Sequence, residues 1–192
     1  PTKMSDPNDP FAEVQMYYHM NRIHDYFADT FGLESMNKSL RALVNVQGGL
    51  NMGGTTSWLA IDNAAYIPKE TLDQLGDMVD VDLPFDEDVL VFGQGNKVDF
   101  SYDGDVVYHE YSHAVVGSDR LWADRADQYG IDPSSLALNE AHADYFAASL
   151  TDDPVTGRWS LGQLDATRDL SIKATCPADF YGESHYDSVI AS

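Results

Sequence analysis

The stretch VVYHEYSHAVVG, Val106–Gly117, carries two histidines four residues apart with a glutamate directly after the first. On a helix, four residues advance about 400°, or roughly 40° beyond one turn, so the imidazoles of His109 and His113 project to one side. Glu110, about 100° round from His109, is placed to reach a water on an ion held by that pair but is poorly aligned to bind the ion itself. The surroundings predict a helix: Ser101 or Asp103 can cap its start and Gly117 is a natural stop. With 6 His in 192 residues, the spacing arises by chance in roughly 0.7% of such chains. A metal site is therefore favoured over surface histidines on an ordinary core helix.

The single cysteine, Cys176, excludes an internal disulfide and a multi-thiolate site, so a metal here must use histidine and carboxylate. Catalytic zinc takes three protein ligands and keeps one position for water, which requires a third ligand from elsewhere. The best source is SSLALNEAHADYFAASL, Ser134–Leu150, a strongly helical segment in which Glu140 and Asp144 share a face. One carboxylate on the ion and another behind it suits ligating imidazoles, which are oriented by acceptors on their far side. His142 points about 200° away from Glu140 and reads as non-ligating, while His19 and His24 lie about 140° apart and read as structural.

Composition narrows the partners. Eleven Lys and Arg against 32 acids give a formal charge of −21, a field that repels nucleic acid and anionic membranes. Such a surface suits dispersion in salty water or the binding of divalent cations. No stretch approaches the roughly 18 apolar residues of a membrane helix, and the opening PTKMSDPNDP is too polar for a signal peptide. The expectation is a soluble chain that, if exported, has already been processed.

Along the chain there is no repeat and no clear linker, so residues 1–192 read as a single domain, with a β-rich part and N-terminal helix in 1–100 and a helical part in 101–192. Asp9 and Pro10 open a helix predicted to run to about Phe31 and stop at Gly32, with Val14, Tyr17, Tyr18, Phe27 and Phe31 as its apolar stripe. Strands are predicted at Arg41–Gln47, Ser57–Ile61 and Val89–Gly93, with a glycine-containing loop through Gly54. The acidic run DQLGDMVDVDLPFDED reads as a surface loop with at most one helical turn. Asn63 and Ala64 then fall at the rim of whatever cleft the sheet borders.

HEYSH followed by NEAHAD resembles the zinc endopeptidases of the thermolysin and fungalysin families, nearer the fungalysins, whose signature is H-E-x-x-H on one helix and N/G-E-x-x-x-D on the next. Three further stretches are similar in the right order: NAAY (Asn63–Tyr66), TRDLS (Thr167–Ser171) and GESHYDSVI (Gly182–Ile190). The resemblance implies an α+β fold, a thermolysin-like zincin with its cleft between the two halves. It implies a secreted endopeptidase with one zinc ion on His109, His113 and Glu140, backed by Asp144 and Asn139. Glu110 would act as general base on a zinc-bound water, and His185 would stabilise the oxyanion. An extended peptide or unfolded protein would add to the edge at Asn63 and Ala64, Arg168 would bond a substrate carbonyl, and Phe100, Val106 and Leu161 would line an apolar pocket.

The chain also departs from the family's pattern. The acid that orients the catalytic histidine is expected five residues before it, where Phe180 stands, with Asp179 one step back; Tyr129 is the candidate for an oxyanion-assisting tyrosine. The double calcium site of thermolysin is not expected: Asp105 matches its first acid, but Thr151, Arg158, Ser160 and Gln163 occupy the later carboxylate positions. Calcium could instead be held among DPNDP, DVDLPFDED or TDD. Family members have longer catalytic units, so the partner could include the remainder of a precursor or another chain covering an apolar patch. The rival functions are a non-catalytic metal-binding module on the same fold and an acidic cation-binding structural domain.

Overall fold

A computed structural model of the chain describes residues 9–52, 54–79, 86–117, 121, 125–127, 130–132 and 134–172. His185, Cys176, Tyr129, Asp179 and Phe180 lie outside the described residues. The architecture mixes helix and sheet, consistent with an α+β class.

The first helix, α1 (Pro10–Phe31), begins where its sequence signals place it. The Asp9 side chain accepts the Phe11 N–H, proline occupies the first turn, and Gly32 closes the end at φ 65 with its N–H on the Ala28 carbonyl. That left-handed conformation costs glycine nothing. The buried face differs from the expected stripe. Ala12, Met16, Ile23 and Phe27 are buried, whereas Val14, Tyr17, Tyr18 and Phe31 are exposed, Tyr17 by 75%. Helical phase explains the correction: Tyr17 and Val14 sit about 100° and 200° round from the 12–16–23–27 row, so ring size does not turn them inward.

Four strands form one sheet in the order β2-β1-β4-β3. They are β1 (Arg41–Met52), β2 (Thr55–Ala60), β3 (Ala64–Ile67) and β4 (Val89–Gly93). Strand β1 runs on through Gly48 and Gly49, where a loop was expected, because the antiparallel ladder with β2 from Gln47↔Ala60 to Met52↔Thr55 satisfies its backbone. Its first half pairs in parallel with β4 across a bulge between Leu43 and Val46, where Asn45 takes φ 57. Gly93 is required by a close crossing: a Cβ there would stand 2.0 Å from the Ile61 carbonyl oxygen. The Ile61–Asn63 segment can therefore wrap over the end of β4 and enter β3, which pairs antiparallel with β4 at the edge of the sheet.

The acidic run is more helical than its sequence suggests. Helix α2 (Lys69–Val79) enters the run from upstream and takes in its residues 73–79, about two turns where one was expected. Its start is fixed from a distance, since Asp88 Oδ1 accepts the Lys69 N–H at 3.0 Å, and Lys69 pairs with Asp73 along the exposed face. A cap supplied from 19 residues away leaves no local signature.

A 3₁₀ turn (Phe100–Tyr102) leads into α3 (Gly104–Val116), which Asp103 caps through the Asp105 N–H and Gly117 ends. Every residue from Val106 to Ala114 is buried. Helix α3 packs against α1, against β3 and most extensively against α4 (Ser134–Thr151). Phe27, Tyr108, Tyr111, Phe92 and Phe100 fill the apolar cluster among these elements, with Phe146 packed on Phe27 at a centroid distance of 4.9 Å. The second half is not purely helical. Short antiparallel pairs join β5 (Arg125–Asp127) to β6 (Gly130–Asp132) and β7 (Val155–Thr156) to β8 (Arg168–Asp169). Among the described residues no helix is long and apolar enough to cross a membrane.

Candidate metal centre

A helix buried on all sides must satisfy whatever polar groups it carries, because an unpaired buried polar group costs roughly 1–3 kcal/mol. His109, Glu110, Ser112 and His113 are all buried in α3, and each has a partner. His109 Nδ1 donates to Asp144 Oδ1 at 2.7 Å, and His113 Nδ1 donates to Asn139 Oδ1 at 2.9 Å. Both acceptors lie on α4, five residues apart and facing α3. Arg168, from β8, donates through Nη2 to the same Asp144 oxygen. Its 3.0 Å approach to His109 Nδ1 sets two donors side by side, so the proton of each points to the carboxylate.

With both Nδ1 atoms engaged, the Nε2 atoms face each other at 3.0 Å. Glu140 closes the triangle, with Oε2 3.2 Å from His109 Nε2 and Oε1 3.6 Å from His113 Nε2. Two imidazole lone pairs and a carboxylate at these separations repel unless a cation lies among them. Burial and then the Arg168 charge disfavour a charged His109, yet the Asp144 and Glu140 carboxylates prevail and raise its pKa to about 9. Burial and the His109 charge push His113 down. Burial disfavours the charged forms of Glu140 and Asp144, but His109 and Arg168 hold both below the ordinary carboxylate value. His109, His113 and Glu140 are the one group of three among the described residues able to hold a metal ion.

Glu110 stays out of the triangle. Its Oε2 accepts the backbone N–H of Tyr66 in β3 at 2.8 Å, and its charge is near enough to act on His113. Backbone groups in a strand alternate between its two edges. The Asn63 carbonyl is bonded to the Gly93 N–H on the β4 side, while the Tyr66 N–H points to α3. Ala64 shares the parity of Tyr66, so its N–H and C=O project from the edge on which Glu110 stands.

The other expected site residues fall as follows. Asn63, at the start of the edge segment, is exposed. Phe100 and Val106 are buried members of the main apolar cluster, and Leu161 is half-buried against it. His19 donates to or accepts from the Tyr108 hydroxyl, His24 contacts Asp25 and Asn37, and exposed His142 reaches the Leu138 carbonyl. Around Asp105, Ser160 donates twice to Asp103 and Arg158 pairs with Asp153 of the TDD stretch. The contact that the sequence did not reveal is that of Glu110 with the Tyr66 N–H, a backbone donor for which no residue type is diagnostic.

The chain matches no family model and no curated protein.

Proposed function

We propose that this chain is a zinc-dependent endopeptidase of the thermolysin and fungalysin type, with the corresponding zincin fold, acting on extended peptides or unfolded segments outside the cell. One observation carries the reading: three ligand atoms converge from two helices while a fourth acid, Glu110, is anchored beside them by the strand edge. The separations of 3.0, 3.2 and 3.6 Å bracket the edge of about 3.3–3.4 Å of a tetrahedron with bonds of 2.0–2.1 Å, which suits zinc. Calcium, with six to eight oxygen ligands at about 2.3–2.6 Å, does not fit two imidazoles.

His109, His113 and Glu140 would hold the ion. When bound, zinc supplies Lewis acidity, which lowers the pKa of water and polarises a carbonyl. Glu110, fixed through Oε2, keeps its other oxygen to take the proton of the attacking water and return it to the leaving amine. A peptide laid against Ala64 as an added strand passes on the side of that carboxylate. Arg168 contributes by holding Asp144, and His185 enters on its motif alone as the oxyanion partner.

The test is metal analysis of the purified chain coupled to peptide cleavage. About one zinc per chain is expected, with cleavage abolished by a chelator and restored by zinc. Zinc bound without any cleavage would instead identify a non-catalytic metal-binding module.

A further inference from the structure

Asp88 precedes β4 by one residue and is 22 residues from Glu110, yet its carboxylate secures the strand that holds Glu110. Its Oδ2 accepts the Tyr66 hydroxyl at 2.9 Å, and its Oδ1 accepts the Lys69 N–H at the first turn of α2. Strand β3 is four residues long and, among the described residues, bonded to a strand on one side only. At its start the Asn63 carbonyl is tied to Gly93, and at its end the chain is tied to Asp88 from both the Tyr66 ring and Lys69. Between these ties lies the Tyr66 N–H that meets Glu110 at 2.8 Å, and the Tyr66 side chain is only 3% exposed.

We infer that Asp88 is a positioning residue for Glu110, acting through Tyr66, an inference that rests on Glu110 being the base. The ring is stiff and packed, so fixing its hydroxyl fixes the backbone at its other end. A catalytic carboxylate held by one N–H loses its alignment when that N–H moves, and displacements near 1 Å cost up to about 100-fold in rate. A carboxylate that merely capped α2 would affect stability alone. Tyr66→Phe separates the two roles, because it removes the hydroxyl bond and keeps the Lys69 cap.

The experiment compares the zinc-loaded full chain with Tyr66→Phe, Asp88→Ala and the double variant, reading kcat, KM, zinc content and the exchange rate of the Tyr66 amide relative to α3 amides. Each single variant is expected to lose about 10-fold in kcat with KM within about twofold and zinc unchanged, and the double to fall no further than Asp88→Ala. The Tyr66 amide is expected to exchange about 10-fold faster in both singles. Unchanged kcat in folded Tyr66→Phe, additive losses in the double, a change confined to KM, or an unchanged Tyr66 amide would each overturn the inference. Should the parent chain cleave nothing, the peptidase reading fails by itself, and amide exchange still decides whether Asp88 governs Tyr66. Should Asp88→Ala not fold, Asp88→Asn and Tyr66→Phe carry the same comparison.

Discussion

His109 donates its Nδ1 proton to Oδ1 of Asp144 at 2.7 Å, and this bond turns the opposite nitrogen toward His113 and Glu140. Asp144 is completely buried and also receives Arg168. Asp144→Asn keeps an acceptor but removes the charge that both partners use, so zinc affinity is expected to fall about 10–100-fold. Competition against a chromophoric chelator measures this. Asp144→Ala should also lower stability by about 3–5 kcal/mol, since it leaves the Arg168 charge without its carboxylate.

Glu110→Gln separates metal binding from turnover. The glutamine carbonyl can still accept the Tyr66 N–H, so the fold and zinc content are expected to persist while kcat falls by about 100-fold or more. Full cleavage by a zinc-loaded Glu110→Gln chain would remove Glu110 from the mechanism.

The region before the metal helix makes a prediction about pH. Burial, and then the neighbouring Asp103, push the Asp105 carboxyl up to about 6, against an ordinary 3.8. Between those values the folded chain binds more protons than the unfolded one, so this group lowers stability as pH rises from about 4 through 6, and the loss persists at pH 7. The shift amounts to at most about 3 kcal/mol; Asp105 is half-buried and its position in the first turn of α3 is favourable, which together leave about 1 kcal/mol. Asp105→Asn is expected to raise Tm by about 2–4 °C at pH 7 and to have little effect at pH 4. Thermal melts at the two pH values decide it.

Phe27 connects α1 to the helices that build the centre, lying against Tyr111 and Phe146 at 1% exposure. Phe27→Ala is expected to cost about 3–5 kcal/mol. Tyr17→Ala, on the 75% exposed face of the same helix, should change stability by about 0.5 kcal/mol or less. Denaturant titration of the two variants tests whether helical phase, and not aromatic content, sets the buried face.

Local patterns made much of this protein legible. The limits of α1 followed from Asp9, Pro10 and Gly32, and β4 from its apolar run, because caps and short buried strands are written in neighbouring residues. The pairing of His109 with His113 followed from helical periodicity, and so did the shared face of Glu140 and Asp144. Where the reading went astray, a distant partner had intervened. The stripe on α1 depends on which row meets α3, α2 depends on a cap from Asp88, and β1 extends past its glycines because β2 lies alongside.

By itself, then, the sequence determined which side chains stand on one face of each helix, since 100° per residue is a property of the backbone. The family resemblance had already named Glu140, Asp144 and Asn139 as partners of the two histidines. Only the tertiary structure decided the packing that brings the Glu140 face of α4 to the His109 face of α3, and the strand amide that holds Glu110. Those relationships join residues 26 to 44 positions apart, and packing a buried helix against two partners at once selects them. The driving force is burial, which leaves each polar group on α3 stable only where another element brings its complement.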